Sequence, residues 1–583
     1  MSEVKTISKP ESMKKQGIDT IPDLFEFGAK NWSRNTAFRK KHPWGYQSIN
    51  YEEFNRLVSF LGAGLMEEGL DSGDKVILIA NNSPEWPVVY GAVTSAHAVI
   101  VPLDPSLNEN EIRHLLMHSE SRFLVTDPDI YENRIRQMHI KDTRVILIEE
   151  GSKGSREGGT LQLGEVMARG KNSINGGDSA YFKRRNSISG EDTAVICYTS
   201  GATGSPKGVV LLHRNILANV ESIRNTIPIM ENDNFLCMLP LYHTFSTTCA
   251  FLTPLACGAS VVFCRSIKPN IIMEDIRNEE ISVLIAVPLI FEHMLEQIMK
   301  SAGREQTGNR GLLSRLFGGI KSAVNRILGR KKVRGEAHRV FSNIRICISG
   351  AAPLRPDIEI ALINSGLNLL QGYGLTEASP VVSVNPPDRV KPGTVGPPLA
   401  GVEVSIDSPD EEGNGEIVVD GPNVMKGYFN NPEETSRVLR NGRLYTGDLG
   451  SIDEEGYLTV KGRKKSVILT AGGKNIYPPE LETRLEKSEY ILECAVIPIE
   501  DRRGNTRIGA IIVPDYNALD SSGAIEKPLT EERIRDIIKG LVEEVNSELT
   551  DYKRISDFQI TDGKLPRTTT NKLKRHLISW IRE

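Results

Sequence analysis

Between the apolar runs Ala194 to Tyr198 and Val209 to Leu212 the chain reads Thr199-Ser200-Gly201-Ala202-Thr203-Gly204-Ser205-Pro206-Lys207-Gly208. Glycines let a backbone approach an anion closely, hydroxyl side chains supply donors, and a lysine supplies positive charge. That combination suits phosphate, and a nucleoside triphosphate is the ligand it suggests. It is not the P-loop of NTPases, whose Gly-Lys-Ser/Thr ending runs into a helix, because Gly208 and Val209 follow Lys207 here. By residue types alone, a plain strand connection competes with the phosphate reading.

A phosphate loop must be presented by strands, and the pattern supplies them. From Ile21 to about Asp127, a helical pattern such as Tyr51 to Glu68 alternates with short apolar runs such as Lys75 to Ala80 and Ala98 to Pro102, which predicts α/β units. Arg169 to Glu191, rich in Gly, Ser, Asn and Arg and without periodicity, reads as a surface loop. Apolar runs resume at Phe235 to Leu239, Ser260 to Phe263, Val283 to Val287 and Ile344 to Ile348. Past Gly393, short alternating runs at Val402 to Ile406, Glu416 to Val419 and Tyr457 to Val460 predict a small antiparallel or barrel-like subdomain. From about Ser466 a small α+β domain is expected.

Asn309 to Arg334 carries eight Lys/Arg residues and no acid, with Leu312, Leu316, Ile320, Val324 and Ile327 at helical spacing. Such a basic amphipathic helix suits an anionic membrane surface, or a helix packed on its own domain with a solvated basic face.

At 583 residues the chain exceeds a single core, so two or more domains are expected. A formal net charge of -4 gives no general basic field, and nucleic acid is not an expected partner. The seven cysteines form no Cys-x-x-Cys pair, which argues against zinc, iron-sulfur clusters and a disulfide framework, and fits a reducing, cytoplasmic setting. Neither a signal peptide nor an apolar run of the roughly eighteen residues that a spanning helix needs is evident.

Four further segments carry chemistry: Gln371-Gly372-Tyr373-Gly374-Leu375-Thr376-Glu377, Tyr445-Thr446-Gly447-Asp448, Gly462-Arg463-Lys464-Lys465 and Pro566-Arg567-Thr568-Thr569-Thr570-Asn571-Lys572. Their order and spacing resemble the adenylate-forming, AMP-binding enzymes over nearly the whole chain. Through Leu239-Pro240-Leu241-Tyr242-His243-Thr244-Phe245, Ser349-Gly350-Ala351-Ala352-Pro353-Leu354 and the basic insert, the chain is most similar to bacterial long-chain fatty acyl-CoA synthetases. The resemblance implies a large α/β N-terminal domain, 1–464, of two αβ subdomains plus a small β-barrel-like one. A small mobile α+β domain, 465–583, would follow.

The implied reaction has two steps. A carboxylate attacks the α-phosphorus of ATP to give acyl-adenylate and pyrophosphate, and a thiol, usually that of coenzyme A, then displaces AMP. By resemblance Thr199, Ser200, Gly201, Ala202, Thr203, Gly204 and Lys207 wrap the β- and γ-phosphates. Thr376 and Glu377 hold the α-phosphate and Mg²⁺, with Thr199 as a second metal contact, and Lys572 bridges the α-phosphate and the acid. Asn571 stands where the family most often has glycine; asparagine also tolerates a left-handed turn. Tyr373, between Gly372 and Gly374, offers a ring to adenine, and the backbone of Gly350, Ala351 and Ala352 reads its edge. Asp448 accepts from the ribose hydroxyls, with Arg463 nearby. His243 orients the acid. No Asp lies between Asn234 and Arg265 to pair with an α-ammonium group, which disfavours amino acids. Gly374 stands where acetate-activating relatives carry tryptophan, leaving room for a tail in the acyl pocket. Lys465 matches the hinge between the two steps, and Gly472 the loop facing the thioester site. The alternatives are an acyl carrier protein as acceptor, a medium-chain or aryl acid, and a non-catalytic lipid- or nucleotide-binding relative.

Overall fold

The computed structural model describes residues 11–138, 140, 143–148, 159–177, 180–199, 206–304, 341–469, 475–500, 506–521, 528–567 and 573–580. Ser200 to Gly204, the basic insert 309–334, Gly472 and Lys572 lie outside the described residues.

Two eight-stranded sheets form the large N-terminal α/β domain. In one, the strands Leu369–Gly374, Ile346–Ser349, Val283–Ala286, Asn234–Cys237, Ser260–Phe263 and Thr36–His42 run parallel in that order, flanked by antiparallel Val381–Val384 and Gly45–Asn50. The other is parallel from Thr193–Thr199 through Val99–Pro102, Lys75–Ile79 and Phe123–Thr126 to its far edge, with Lys207–Leu212 and Gly427–Tyr428 antiparallel at the near one. Parallel strands are covered on both faces and therefore read as unbroken apolar runs. Val283–Ala286, Val99–Pro102 and Phe123–Thr126 are buried at every position. The N-terminal hairpin was not expected in the sheet built mainly from residues 234–384; it joins there because Phe38, Arg39 and Lys40 register with Val261, Val262 and Phe263.

Arg169 to Glu191, read from sequence as a surface loop, is instead substantially helical. The helix Leu163–Asn175 runs into it and Ala180–Arg185 lies within it. The glycines misled, because they mark a close helix crossing. A Cβ on Gly170 would lie 2.0 Å from the Phe60 carbonyl oxygen, and one on Gly64 2.0 Å from that of Val166. Tyr181 seals the same contact, its ring over Gly62. The partner helix, Tyr51–Glu67, starts where the Asn50 side chain accepts from the Glu53 N–H, and buries Phe54, Val58, Leu61 and Leu65 along one stripe.

A five-stranded antiparallel sheet contains Glu403–Asp407, Gly415–Asp420, Arg443–Ile452 and Leu458–Arg463. Beyond it, a three-stranded sheet (Ile491–Glu500, Thr506–Pro514, Asp557–Ile560) and the helices Pro478–Leu485 and Glu531–Ser547 enclose a separate core of Leu481, Cys494, Val496, Ile512 and Ile538. This is the small α+β C-terminal domain. All seven cysteines are unpaired thiols. Among the described residues, no helix is long and apolar enough to cross a membrane.

Candidate active site

Side chains from both large sheets and from the five-stranded sheet converge beyond the carboxyl ends of the parallel strands, where open α/β sheets bind ligands. At the end where the sequence reading expects phosphate, Thr199 and Lys207 face each other as the last pair of their ladder. The Lys207 ammonium pairs with Glu434 and lies 5.2 Å from the centre of the Tyr428 ring. Tyr428 donates to Glu377 Oε1 at 2.9 Å. Burial, then the neighbouring Glu377 carboxylate, pushes the phenol of Tyr428 up, so it stays a donor. The backbone staples these groups together: Phe429 N–H donates to Gly208 O (2.7 Å), Lys426 N–H to Val210 O (3.0 Å) and Met425 N–H to Glu377 O (2.9 Å).

At the end where the sequence reading expects the nucleoside, Asp448 and Arg463 are cross-strand neighbours in the five-stranded sheet, with Arg463 Nε 2.7 Å from Asp448 Oδ1. Tyr373 donates to Asp448 Oδ2 at 2.6 Å. Asp448 is only 5% exposed, and its aspartate charge raises the Arg463 guanidinium. Burial and then Asp448 raise the Tyr373 phenol. A carboxylate offers about four lone-pair directions, so Tyr373 and Arg463 leave Asp448 acceptor capacity for further donors. Gly447 has φ 71°, a left-handed turn that suits glycine. Ala351, beside Gly350 and Ala352, adopts φ 68° without being glycine, in a turn whose Leu354 N–H donates to the Gln371 side chain at 3.0 Å.

The segment where the sequence reading expects the acid follows the strand Asn234–Cys237. His243 N–H donates to Pro240 O at 3.2 Å, and the His243 ring lies 4.2 Å from that of Tyr242. Next to it, Thr244 Oγ1 donates to Thr376 Oγ1 at 3.2 Å, joining the histidine segment to Thr376 and Glu377. Phe245 covers Gly350 so closely that a Cβ there would lie 2.7 Å from the ring. At Gly374 a Cβ would meet the Pro380 carbonyl oxygen at 2.2 Å. The glycine therefore answers to a backbone crossing, and by itself it does not measure the length of an acyl pocket. Gly372 registers with Val384 in the same ladder.

Lys465 is exposed in the 3₁₀ turn Lys464–Ser466, between the five-stranded sheet and the C-terminal domain. Across that junction Arg355 Nη1 donates to Glu486 O at 3.0 Å. On the two flanks of the Lys572 segment, Arg567 pairs with Glu493 and Arg575 with Glu482, both within the C-terminal domain.

Among the described residues there is no cluster of three or more His, Cys, Asp or Glu side chains able to cage a metal. Among the described residues, the Glu377 carboxylate, joined by Thr376 of the same segment, and the Thr199 hydroxyl are the groups that could hold a metal beside phosphate. That set fits Mg²⁺, which binds through one or two carboxylates and substrate phosphates and keeps several waters. Sequence reasoning missed Tyr428, Glu434 and Thr244. Tyr428 sits in a two-residue strand, too short to show a period, and Glu434 meets Lys207 across 227 positions.

Known proteins resemble the chain in sequence and in fold. A family model described as AMP-binding enzyme matches residues 25–429, and one described as AMP-binding enzyme C-terminal domain matches 480–572. A chloroplastic long-chain-fatty-acid–[acyl-carrier-protein] ligase of Arabidopsis thaliana is 25% identical over 99% of this chain and 87% of its own length. A long-chain-fatty-acid–CoA ligase of Bacillus subtilis is 30% identical over 78% of this chain and 79% of its own. The crystal structure of ATP-bound MatB from Rhodopseudomonas palustris superposes with a TM-score of 0.73 at 25% identity, covering 95% of this chain and 98% of that one.

Proposed function

The chain belongs to the AMP-binding enzyme family, adenylate-forming ligases that activate an acid with ATP and Mg²⁺ before passing it to a thiol, and from that premise we propose that its acid is a long-chain fatty acid and its acceptor coenzyme A. The observation that carries the substrate class is the contact between Thr244 and Thr376, which ties the His243 segment to the adenylation motif. That segment, Asn234 to Arg265, contains no acidic residue. It offers no counter-charge to an α-ammonium group and favours an apolar acid. Each methylene buried from a longer tail would add up to about 0.8 kcal/mol, enough to separate long acids from acetate. The resemblance to the Bacillus subtilis CoA ligase supports the same class.

In the first half-reaction, the acid carboxylate attacks the α-phosphorus, and pyrophosphate leaves toward Lys207 and Thr199. His243 and Thr376 orient the carboxylate, while Lys572 bridges it to the α-phosphate, so two anions meet with their repulsion offset. Glu377 and Thr199 would hold Mg²⁺, which neutralises phosphate charge when bound. Asp448 and Arg463 hold the ribose, and Tyr373 with the Gly350–Ala352 turn frames the adenine. We assign 1–464 to this machinery and 465–583 to a domain that turns about Lys465 between the steps, bringing the loop of Gly472 to the thiol. The basic segment 309–334 belongs to the same reading as the part that approaches an anionic membrane. Liposome flotation lost on its deletion supports that role, and unchanged flotation refutes it.

The second reading, transfer to acyl carrier protein, is favoured by the resemblance to the chloroplastic relative. Incubating the protein with ATP, Mg²⁺ and palmitate, and with either coenzyme A or holo-carrier protein, decides between them. Palmitoyl-CoA as the main product supports the proposal; palmitoyl-carrier protein alone overturns the choice of acceptor.

A further inference from the structure

Lys207 reaches Glu434 across two segments that no local pattern connects, and both side chains are largely shielded, 16% and 20% exposed. Glu434 sits in the helix Pro432–Val438, whose first turn is set by Asn431 accepting from the Glu434 N–H at 3.1 Å. One carboxylate oxygen takes Lys207 and the other takes Arg437. Lys207, and behind it Arg437, hold the Glu434 carboxyl below its usual range, so it is a carboxylate at neutral pH. A carboxylate on the lysine of a phosphate loop occupies the charge that phosphate oxygens would take.

We propose that Glu434 is the exchange counter-ion of Lys207: it holds the ammonium until nucleotide arrives, yields it to phosphate oxygens, and takes it back as pyrophosphate departs. The inference rests on the reading of Lys207 as a phosphate contact. Two features make the exchange feasible. Arg437 remains on Glu434 when Lys207 turns away, so the carboxylate is not left as an uncompensated charge. Lys207 also lies against the face of Tyr428, the ring that donates to Glu377, so the ammonium is held beside the proposed metal ligand throughout. Nothing covalent changes; one ion pair replaces another. The consequence falls on affinity. A fixed negative charge beside the leaving group competes for its cation and repels it, so Glu434 is a positioning residue that weakens the hold on pyrophosphate and speeds its escape.

Titration calorimetry with Mg²⁺-pyrophosphate on the full chain tests this. Glu434→Gln is expected to tighten binding by roughly five-fold and to lower the KM for ATP by a similar factor. Glu434→Asp, which keeps the charge but withdraws it by one methylene, should fall between wild type and Gln. Glu433→Gln, whose parent pairs with Arg437 and, among the described residues, not with Lys207, should leave pyrophosphate binding unchanged. A merely structural Glu434 would predict weaker binding on substitution, and weaker or unchanged binding in both Glu434 variants overturns the proposal. Lys207→Met separates the two layers: it must weaken pyrophosphate binding if Lys207 touches phosphate, and if it does not, the reading of Lys207 falls and the exchange with it.

Discussion

The two ends of the nucleotide site are held together in different ways. At the nucleoside end, Tyr373, Asp448 and Arg463 form a closed set in which every partner can stay in place when ligand arrives, since the carboxylate has acceptor capacity to spare. At the phosphate end, Lys207 is already spoken for by Glu434 and must change partners. One end is preorganised for recognition and the other is poised for exchange, which matches a reaction that keeps AMP on the enzyme while pyrophosphate leaves.

The largest expected effect lies between the two ends, at the α-phosphate. Lys572→Ala should lower adenylate formation by on the order of 10³-fold while leaving thioester synthesis from supplied acyl-adenylate largely intact, measured as separate half-reactions. Equal loss in both would contradict a group that serves only one step. Next comes the preorganised end. Asp448→Ala strips Tyr373 and Arg463 of their shared partner as well as removing the ribose acceptor, and kcat/KM for ATP should fall by about 100-fold, with little change in the KM for the acid. A loss below about three-fold would mean that Asp448 only closes a turn. Tyr428→Phe removes one hydroxyl from Glu377 and leaves the ring under Lys207; a fall in kcat/KM of roughly five-fold is expected, with a raised Mg²⁺ requirement. An unchanged Mg²⁺ requirement would separate Glu377 from the metal.

The smallest effect is a control away from both ends. Glu359 is fully buried, accepts from Gly393 N–H at 2.8 Å, and has its other oxygen without a hydrogen-bond partner among the described residues. Burial pushes its carboxyl up from 4.5 to about 7. The folded state therefore binds the proton more tightly than the unfolded chain, and stability present below about 4.5 is lost as pH rises toward 7. Glu359→Gln should have a Tm that gains on wild type between pH 5 and pH 8 with activity unchanged. A Tm difference independent of pH would show that the carboxyl is not titrating in the fold.

Much of the candidate site could be named because Tyr373 to Glu377, Gly447 with Asp448, and Arg463 lie in short runs whose joint order matches the motifs of the resembled family. The parallel strands were legible for a related reason, since burial on both faces makes each a compact apolar run with little ambiguity in position. What could not be read depends on contacts between distant segments. Gly64 and Gly170 look like breakers until two helices are seen to cross at them. Glu434 looks like a solvated helix acid until Lys207 meets it, and Gly374 looks like open space until Pro380 fills the direction of its missing Cβ. Placing the N-terminal hairpin required the register between Thr36–His42 and Ser260–Phe263, which no local pattern carries.

If the proposed function is right, this site makes an acyl-adenylate from a long apolar acid. Exchange of labelled pyrophosphate into ATP, run without any thiol across acids from acetate to oleate, tests it most directly. A long-chain acid ligase should show no exchange without acid, little with acetate, and a steep rise with chain length. Exchange that is absent with every acid, or equal for acetate and oleate, would contradict it.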